Sequence, residues 1–190
     1  MAHWGMPFIV SYAVWIAMEI WISARDRQRR AGTDKDRGSL GVVVIAYVVA
    51  LAAAGYLAAS QPWARIQPFH FQAYWAGIVL MWTGMAFRLW AVLVLGRFFR
   101  ITVMLQDEHR LVEKGPYRIL RHPAYTGGLL TITGIGLAMG NWLSLLVLMG
   151  VVLLGYGYRI RVEEQALRAR FGESYERYAA TRWRLVPFLI

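Results

Sequence analysis

Long apolar runs alternate with short polar segments along most of the chain. The runs cover residues 7–22, 40–59, 73–95, 125–139 and 142–158. An α-helix rises about 1.5 Å per residue, so about 20 apolar residues cross a bilayer, and the shorter runs need flanking residues. The pattern predicts an all-α fold, a polytopic membrane helical bundle with five transmembrane helices. No basic region precedes the first run and no small-residue cleavage site follows it, so we expect a retained helix.

The connection between the last two runs fixes how they pair. Gly140 and Asn141 make a turn so short that the fourth and fifth runs must form an antiparallel C-terminal helical hairpin. Residues 163–171 interleave charged and apolar side chains, which predicts an amphipathic tail helix with Gly172 as its C-cap. A second short tail helix around Tyr175 would lie on the membrane surface or cover a site.

Basic residues are concentrated in three of the polar segments. Residues 25–37 and 96–121 carry six Lys and Arg each, and the segment from Arg159 onwards carries seven. Because cytoplasmic loops are enriched in these residues, the pattern predicts an outside N-terminus and a cytoplasmic C-terminus. Most of the polar, potentially reactive residues then fall on the cytoplasmic side. The net charge of +10 then reflects membrane topology, and no nucleic-acid partner is expected. The chain has no cysteine, which excludes disulfides, cysteine-ligated zinc and thiol catalysis, and no metal site is predicted.

The polar segment 109–128 has the sequence HRLVEKGPYRILRHPAYTGG. Pro123 disfavours helix at His122, so a helix should begin at or just after Pro123. Its first turn would suit an anionic group, with Arg121 and His122 at the entrance. The simplest interpretation is a basic loop followed by a proline-initiated helix.

The hairpin should bring polar residues from its far end back to this entrance. Glu163 and Glu164 would return to the level of His122, and together the Arg, His, Tyr and Glu side chains could bind a zwitterion. Alternatively, the two glutamates form the solvated face of an exiting helix, and Arg159 and Arg161 simply extend to the interface.

Two charged residues within the apolar runs have two interpretations each. Arg88 lies at most ~12 Å deep, so it either extends to the headgroups or is an intramembrane functional residue. Glu19 is either an interfacial carboxylate beside the first basic loop or a polar contact facing the bundle interior.

The order of these motifs resembles the isoprenylcysteine carboxyl methyltransferase family, integral membrane enzymes related to phospholipid N-methyltransferases. The resemblance covers residues 88–188 and rests on segment 109–128, a helical hairpin with the Gly140–Asn141 turn, RIRVEEQALRARFGESYERY and a late VPF. It implies a single membrane-embedded methyltransferase domain over 1–190. Within it, 1–72 would be two accessory helices and 73–190 a catalytic core with the cofactor pocket.

The resemblance also implies S-adenosylmethionine as the cofactor and assigns residues to two parts of a site. The implied cofactor-binding residues are His109, Leu111, Val112, Gly115, Tyr117, Arg121, His122, Tyr125 and Glu164. Arg88 and Arg159 are similar to the family's arginines near the reacting carboxylate, with Arg161 as a competitor for the second position. Glu163 is the implied catalytic base if the acceptor is an amine.

The expected function is therefore methyl transfer to a lipophilic substrate. The leading hypothesis is carboxyl O-methylation of an isoprenylcysteine-like compound. Phospholipid N-methylation is the alternative, and an NADPH-dependent enzyme similar to sterol reductases is a third. Those reductases favour Asn after the His and an Asp-Glu pair, where this chain has Pro123 and Glu163–Glu164. A non-enzymatic scaffold would bind no cofactor. The expected partners are a lipophilic small-molecule or lipid substrate and membrane lipids, without an obligate protein partner.

Overall fold

The computed structural model of this protein describes residues 5–27, 33–34, 38–96, 104–105 and 111–188. The described α-helices are α1 (Met6–Arg27), α2 (Ser39–Ser60), α3 (His70–Leu95), α4 (Pro123–Ala138), α5 (Trp142–Phe171) and α6 (Glu173–Ala180). Short 3₁₀ turns cover Pro62–Ala64 and Gly115–Arg118, and a two-residue strand pair joins β1 (Thr33–Asp34) to β2 (Met104–Leu105). Apart from this strand pair, the predicted all-α class is confirmed.

The charged tail continues the last long helix. α5 runs without a break for 30 residues, from the apolar run into the charged tail, and ends at Gly172. The φ angle of Gly172 is +50° and its N–H donates to the carbonyl of Arg168 over 2.9 Å. A residue with a Cβ would be strained in this region, which explains the glycine at the cap. α6 follows directly and contains Tyr175 and Tyr178.

Four of the described helices are long and apolar enough to cross a membrane. These four are residues Met6–Arg25 of α1 and the whole of α2, α3 and α5. α4 has 16 residues, which give about 24 Å of helix against a hydrocarbon core of about 30 Å. Most of its residues are buried in the protein, so α4 is an interior helix with little exposure to lipid.

Helix packing places the start of α4 beside α3, about two turns before the end of that helix. α3 packs along α4, and α4 and α2 both pack against α5. At Gly127 a Cβ would lie only 2.6 Å from the backbone nitrogen of Arg88. Glycine therefore permits the close approach of the two backbones, and the first turn of α4 sits beside Arg88.

The predicted hairpin turn forms as expected. Gly140 has a φ of +63°, and Asn141 caps α5 by accepting a hydrogen bond from the N–H of Ser144 over 3.0 Å. The Asn141 amide also donates to the carbonyl of Gln61 over 3.1 Å, which ties the turn to the connection after α2. The antiparallel hairpin returns the chain to the start of α4.

The antiparallel strand pair links the first two basic segments. Thr33 pairs with Leu105 and Asp34 pairs with Met104. The pair brings these described parts of the two segments next to each other.

Candidate functional site

Glu164 is the centre of a buried charged cluster at the start of α4. Its carboxylate accepts hydrogen bonds from Arg121 over 2.9 Å and lies 3.2 Å from Nε2 of His122. Arg184 adds two contacts of 3.2 Å. The side chains of His122 and Glu164 are 3% and 5% exposed, so this contact is shielded from water. With Arg168 at 4.0 Å, three arginines and a histidine thus surround one carboxylate, an excess of positive charge that suits an additional anionic group.

Glu163 belongs to a second, more open chain of polar contacts. Tyr125 donates its hydroxyl proton to Glu163 over 3.0 Å, and Nε of Arg159 donates to the same hydroxyl over 3.2 Å. The side chain of Glu163 is 31% exposed, and its carboxylate lies 3.9 Å from Nδ1 of His122. The structure thus joins the two predicted groups of residues at the first turn of α4.

Burial decides which of the two arginines at the end of the fifth run faces this site. Arg159 is buried and also donates to the hydroxyl of Ser39, while Arg161 is exposed. A turn of 3.6 residues places the two side chains, two positions apart, on different sides of α5.

Arg88 is held in the bundle by Glu19. Its Nε and NH2 atoms donate to the two carboxylate oxygens over 2.6 and 2.8 Å, and its NH1 atom donates to the carbonyl of Ala124 over 3.0 Å. The interpretation of Glu19 as an interfacial carboxylate is therefore wrong, because the residue faces the bundle interior. Among the described contacts none joins Arg88 to Arg159, but both reach the first turn of α4, at Ala124 and at Tyr125.

The C-terminal strap, residues 181–188, contributes a site residue that the sequence did not predict. Its backbone pairs with the segment before α4: the N–H groups of Arg121 and His122 donate to the carbonyls of Trp183 and Arg184 over 2.7 and 3.1 Å. This pairing places the Arg184 side chain on Glu164. The late VPF motif pointed to this part of the chain, but no local pattern singled out Arg184.

The remaining predicted cofactor residues lie before α4. Leu111 and Val112 are half-buried and lead into the turn Gly115–Arg118, where Tyr117 is buried. His109 lies outside the described residues. The hydroxyl of Tyr178 on α6 donates to the carbonyl of Tyr117 over 3.2 Å. This hydrogen bond fastens α6 to the turn, and burial raises the pKa of the Tyr178 hydroxyl to about 12.

A family model described as phospholipid methyltransferase matches residues 72–174, more than half of the chain. The chain belongs to the phospholipid methyltransferase family. The matched segment begins in the first turn of α3 and includes the rest of α3, α4, α5 and the start of α6. α1 and α2, with Glu19 and Ser39, lie outside it.

The relatives of this family member confirm its resemblance to isoprenylcysteine carboxyl methyltransferases. It is 34% identical over 127 residues to a probable protein-S-isoprenylcysteine O-methyltransferase of Oryza sativa subsp. indica, covering 66% of each chain. It is 33% identical over 115 residues to protein-S-isoprenylcysteine O-methyltransferase B of Arabidopsis thaliana, covering 60% of this chain and 58% of that one. The chain therefore matches less than two thirds of these relatives' length.

The fold of this family member is also that of a solved membrane enzyme. A structure of the eukaryotic intramembrane Ras methyltransferase ICMT, an isoprenylcysteine carboxyl methyltransferase, superposes with a TM-score of 0.65 at 24% identity. The superposition covers 75% of this chain and 52% of that chain. With its long apolar helices, the protein is an integral membrane protein.

Proposed function

We propose that the protein transfers a methyl group from S-adenosylmethionine to the carboxylate of a lipophilic, isoprenylcysteine-like acceptor. The observation that carries the proposal is the contact of His122 with Glu164, which joins the two halves of the family motif in one buried cluster. The names of the relatives support carboxyl methylation. Those names specify a protein-bound isoprenylcysteine, so we propose a prenylated cysteine carboxylate as the acceptor group, whether free or at the end of a protein.

The charged cluster fits the amino-acid part of the donor. Among the described residues, the Nε–H of Arg121 is buried without a hydrogen-bond partner, and so is the hydroxyl of Tyr175 apart from its interaction with Arg121 itself. Buried donors of this kind cost free energy unless a ligand supplies an acceptor. A donor carboxylate would satisfy them, and Glu164 would balance its ammonium group. We place the donor here, with the remaining cofactor residues from segment 109–128 beside it.

S-adenosylmethionine supplies a methyl group on a positively charged sulfur, which makes that carbon electrophilic. The residues of the chain then have to orient the acceptor, exclude water and stabilise its negative charge. Arg88 and Arg159 are the groups we propose for the acceptor carboxylate, because both reach the first turn of α4 from a buried position. A carboxylate is already ionised at neutral pH, so this reaction needs no general base.

Phospholipid N-methylation is the second candidate, and the description of the family model favours it. An amine acceptor must lose a proton before it can attack. Glu163, partly exposed and hydrogen bonded to Tyr125, would then be the base. The two candidate functions differ in the role of Glu163. The substitution Glu163→Gln should abolish amine methylation, while carboxylate methylation should persist.

The membrane arrangement belongs to the same proposal. We propose five spans, with the interior helix α4 as the fourth, an outside N-terminus and a cytoplasmic site, all within one domain whose catalytic core is 73–190. The loop charges support this orientation, and the β1–β2 pair supports a common side for the first two basic segments. A reporter fused after Ile190 should be active only in the cytoplasm, and activity only outside would contradict the orientation.

The proposed function can be tested with purified protein in detergent. Calorimetry should show binding of S-adenosylmethionine and none of NADPH, since Pro123 and the Glu163–Glu164 pair depart from the reductase pattern. Labelled donor should then transfer its methyl group to an S-farnesyl cysteine derivative with a free carboxylate and a blocked amine. Transfer only to phosphatidylethanolamine would favour the second candidate. Binding of NADPH without donor binding would overturn both.

A further inference from the structure

The ion pair between Glu19 and Arg88 connects the first accessory helix to the family segment. The Nε and NH2 atoms of Arg88 donate to the two oxygens of Glu19 over 2.6 and 2.8 Å. This is a bidentate arrangement along one side of the guanidinium, which fixes orientation as well as charge. The side chains are only 13% and 27% exposed, so the pair is largely shielded from solvent.

Arg88 uses only some of its N–H groups in hydrogen bonds within the protein, so part of its guanidinium can bind a ligand. A guanidinium carries five N–H groups. Two of those on Arg88 donate to Glu19 and a third, on NH1, donates to the carbonyl of Ala124. Within the described parts of the chain the other two, one on each terminal nitrogen, have no acceptor. The planar guanidinium holds these two terminal nitrogens in a fixed orientation, which suits the two oxygens of a carboxylate.

We infer that Glu19 is a positioning residue, which holds Arg88 from one side so that its two remaining N–H groups bind the carboxylate of the methyl acceptor. The inference rests on the proposed function and deepens it. It assigns a role in acceptor binding to α1, which lies outside the matched segment 72–174. Glu19 also neutralises the charge of Arg88, so the acceptor would be recognised by the geometry of the remaining donors.

Two other roles of Glu19 make different predictions. If Glu19 only neutralised a buried cation, any carboxylate that kept the charge would serve, and only stability would depend on it. If Glu19 occupied the acceptor's own place, removal of its charge would lower the KM for the acceptor. A positioning role predicts the opposite change in KM, because a loosened Arg88 loses its alignment.

The test uses two substitutions of Glu19 and one control in full-length protein. Glu19→Asp keeps the negative charge but shortens the side chain by one methylene, so both contacts with Arg88 cannot persist. Glu19→Gln removes the charge and also tests whether Glu19 positions Arg88, provided that this variant folds. Glu173→Gln is the control, since it removes a carboxylate from an exposed pair with Arg177 on α6. The measurements are KM and kcat for the S-farnesyl cysteine derivative, the dissociation constant of S-adenosylmethionine and thermal unfolding.

We expect Glu19→Asp to raise the acceptor KM about tenfold, the effect of losing one charge-assisted contact, with donor affinity unchanged and the protein still folded at the assay temperature. Glu19→Gln should raise KM at least as much, and Glu173→Gln should leave it unchanged. In an Arg88→Lys background, Glu19→Asp should add no further increase, because a lysine ammonium has no planar fork to orient.

The outcomes separate this inference from the proposed function. If wild-type protein methylates the acceptor and both Glu19 variants keep or lower its KM, the positioning role is overturned and the function stands. A further increase of KM in the Arg88→Lys background would also overturn it. If wild-type protein binds the donor but transfers no methyl group to any carboxylate acceptor, the proposed function falls and this inference falls with it.

Discussion

His122 and Glu164 are 42 positions apart in the sequence, and their side chains meet over 3.2 Å inside the protein. The first caps the start of α4, and the second lies near the end of α5 on the returning arm of the hairpin. The short turn at Gly140 and Asn141 is what makes this contact possible. Because the contact lies in the cluster proposed for the methyl donor, donor affinity should depend on both partners.

The first prediction is that His122→Ala and Glu164→Ala each weaken binding of S-adenosylmethionine. Losing one charge-assisted contact costs about 1.5–3 kcal/mol, which corresponds to roughly ten- to hundred-fold in affinity. Calorimetry measures the affinity, and thermal unfolding checks that the variants are folded. Glu164→Gln serves as a milder variant, since removal of the whole side chain leaves Arg121 without its carboxylate partner. Unchanged donor affinity in all folded variants would remove this cluster from the donor site.

The second prediction concerns the C-terminal strap. Arg184→Ala should weaken donor binding less than the His122 variant does, because the Arg184 side chain is 39% exposed and its contacts with Glu164 are partly screened by solvent. We expect a loss of about 1 kcal/mol or less, at most roughly fivefold in affinity. Arg177→Ala is the matched control, since Arg177 is more exposed and pairs with Glu173 on α6. Equal affinities of the two variants would mean that the strap does not contribute to the donor site.

Most of the fold could be predicted because hydropathy and turn residues are local signals. The apolar runs, the start of α4 at Pro123, the turn at Gly140 and the cap at Gly172 are each readable from a few adjacent residues. The meeting of Glu164 with His122 followed from two such signals, a short turn and a family motif.

The features that were missed depend on pairing between distant segments. Arg184 reaches Glu164 because the strap pairs with the backbone before α4, and such pairing leaves no local pattern. For the pair of Glu19 and Arg88 a usable signal existed, since each is the sole interior charge of its run. Glu19 lies eight residues before the end of α1 and Arg88 seven before the end of α3. Two opposite charges at matching depths in neighbouring helices are expected to pair.

The third prediction tests the close approach of α3 and α4. Gly127→Ala would place a Cβ 2.6 Å from the backbone nitrogen of Arg88, so the helices must separate. We expect a destabilisation of about 1–3 kcal/mol, typical of overpacking, and lower turnover because Arg88 moves with the backbone. Gly150→Ala in α5 is the control, since nothing lies within 4 Å of its added methyl group. Both substitutions reduce the conformational entropy of the unfolded chain by the same amount. The difference between their effects on stability therefore reports the contact between α3 and α4. Equal unfolding temperatures would contradict the prediction.

The last prediction separates acceptor positioning from donor binding. Arg88 contacts Glu19 and Ala124, whereas Glu164 and its partners form the cluster proposed for the donor. Arg88→Ala should therefore reduce methyl transfer strongly and leave the affinity for S-adenosylmethionine nearly unchanged. Arg88→Lys should restore only part of the activity, because an ammonium group cannot reproduce two planar contacts with Glu19 and a further pair with a carboxylate.

The same two variants distinguish this role from a purely structural one. A buried cation that merely neutralised Glu19 could be replaced by lysine with little loss, and alanine would lower stability by about 3–5 kcal/mol because a charge would remain unpaired. Transfer rates, donor affinity and unfolding temperature, measured on one preparation of each protein, decide between the two. Full activity of Arg88→Lys would favour the structural role. Full activity of Arg88→Ala would remove Arg88 from the site altogether, since methyl transfer would then proceed without its guanidinium.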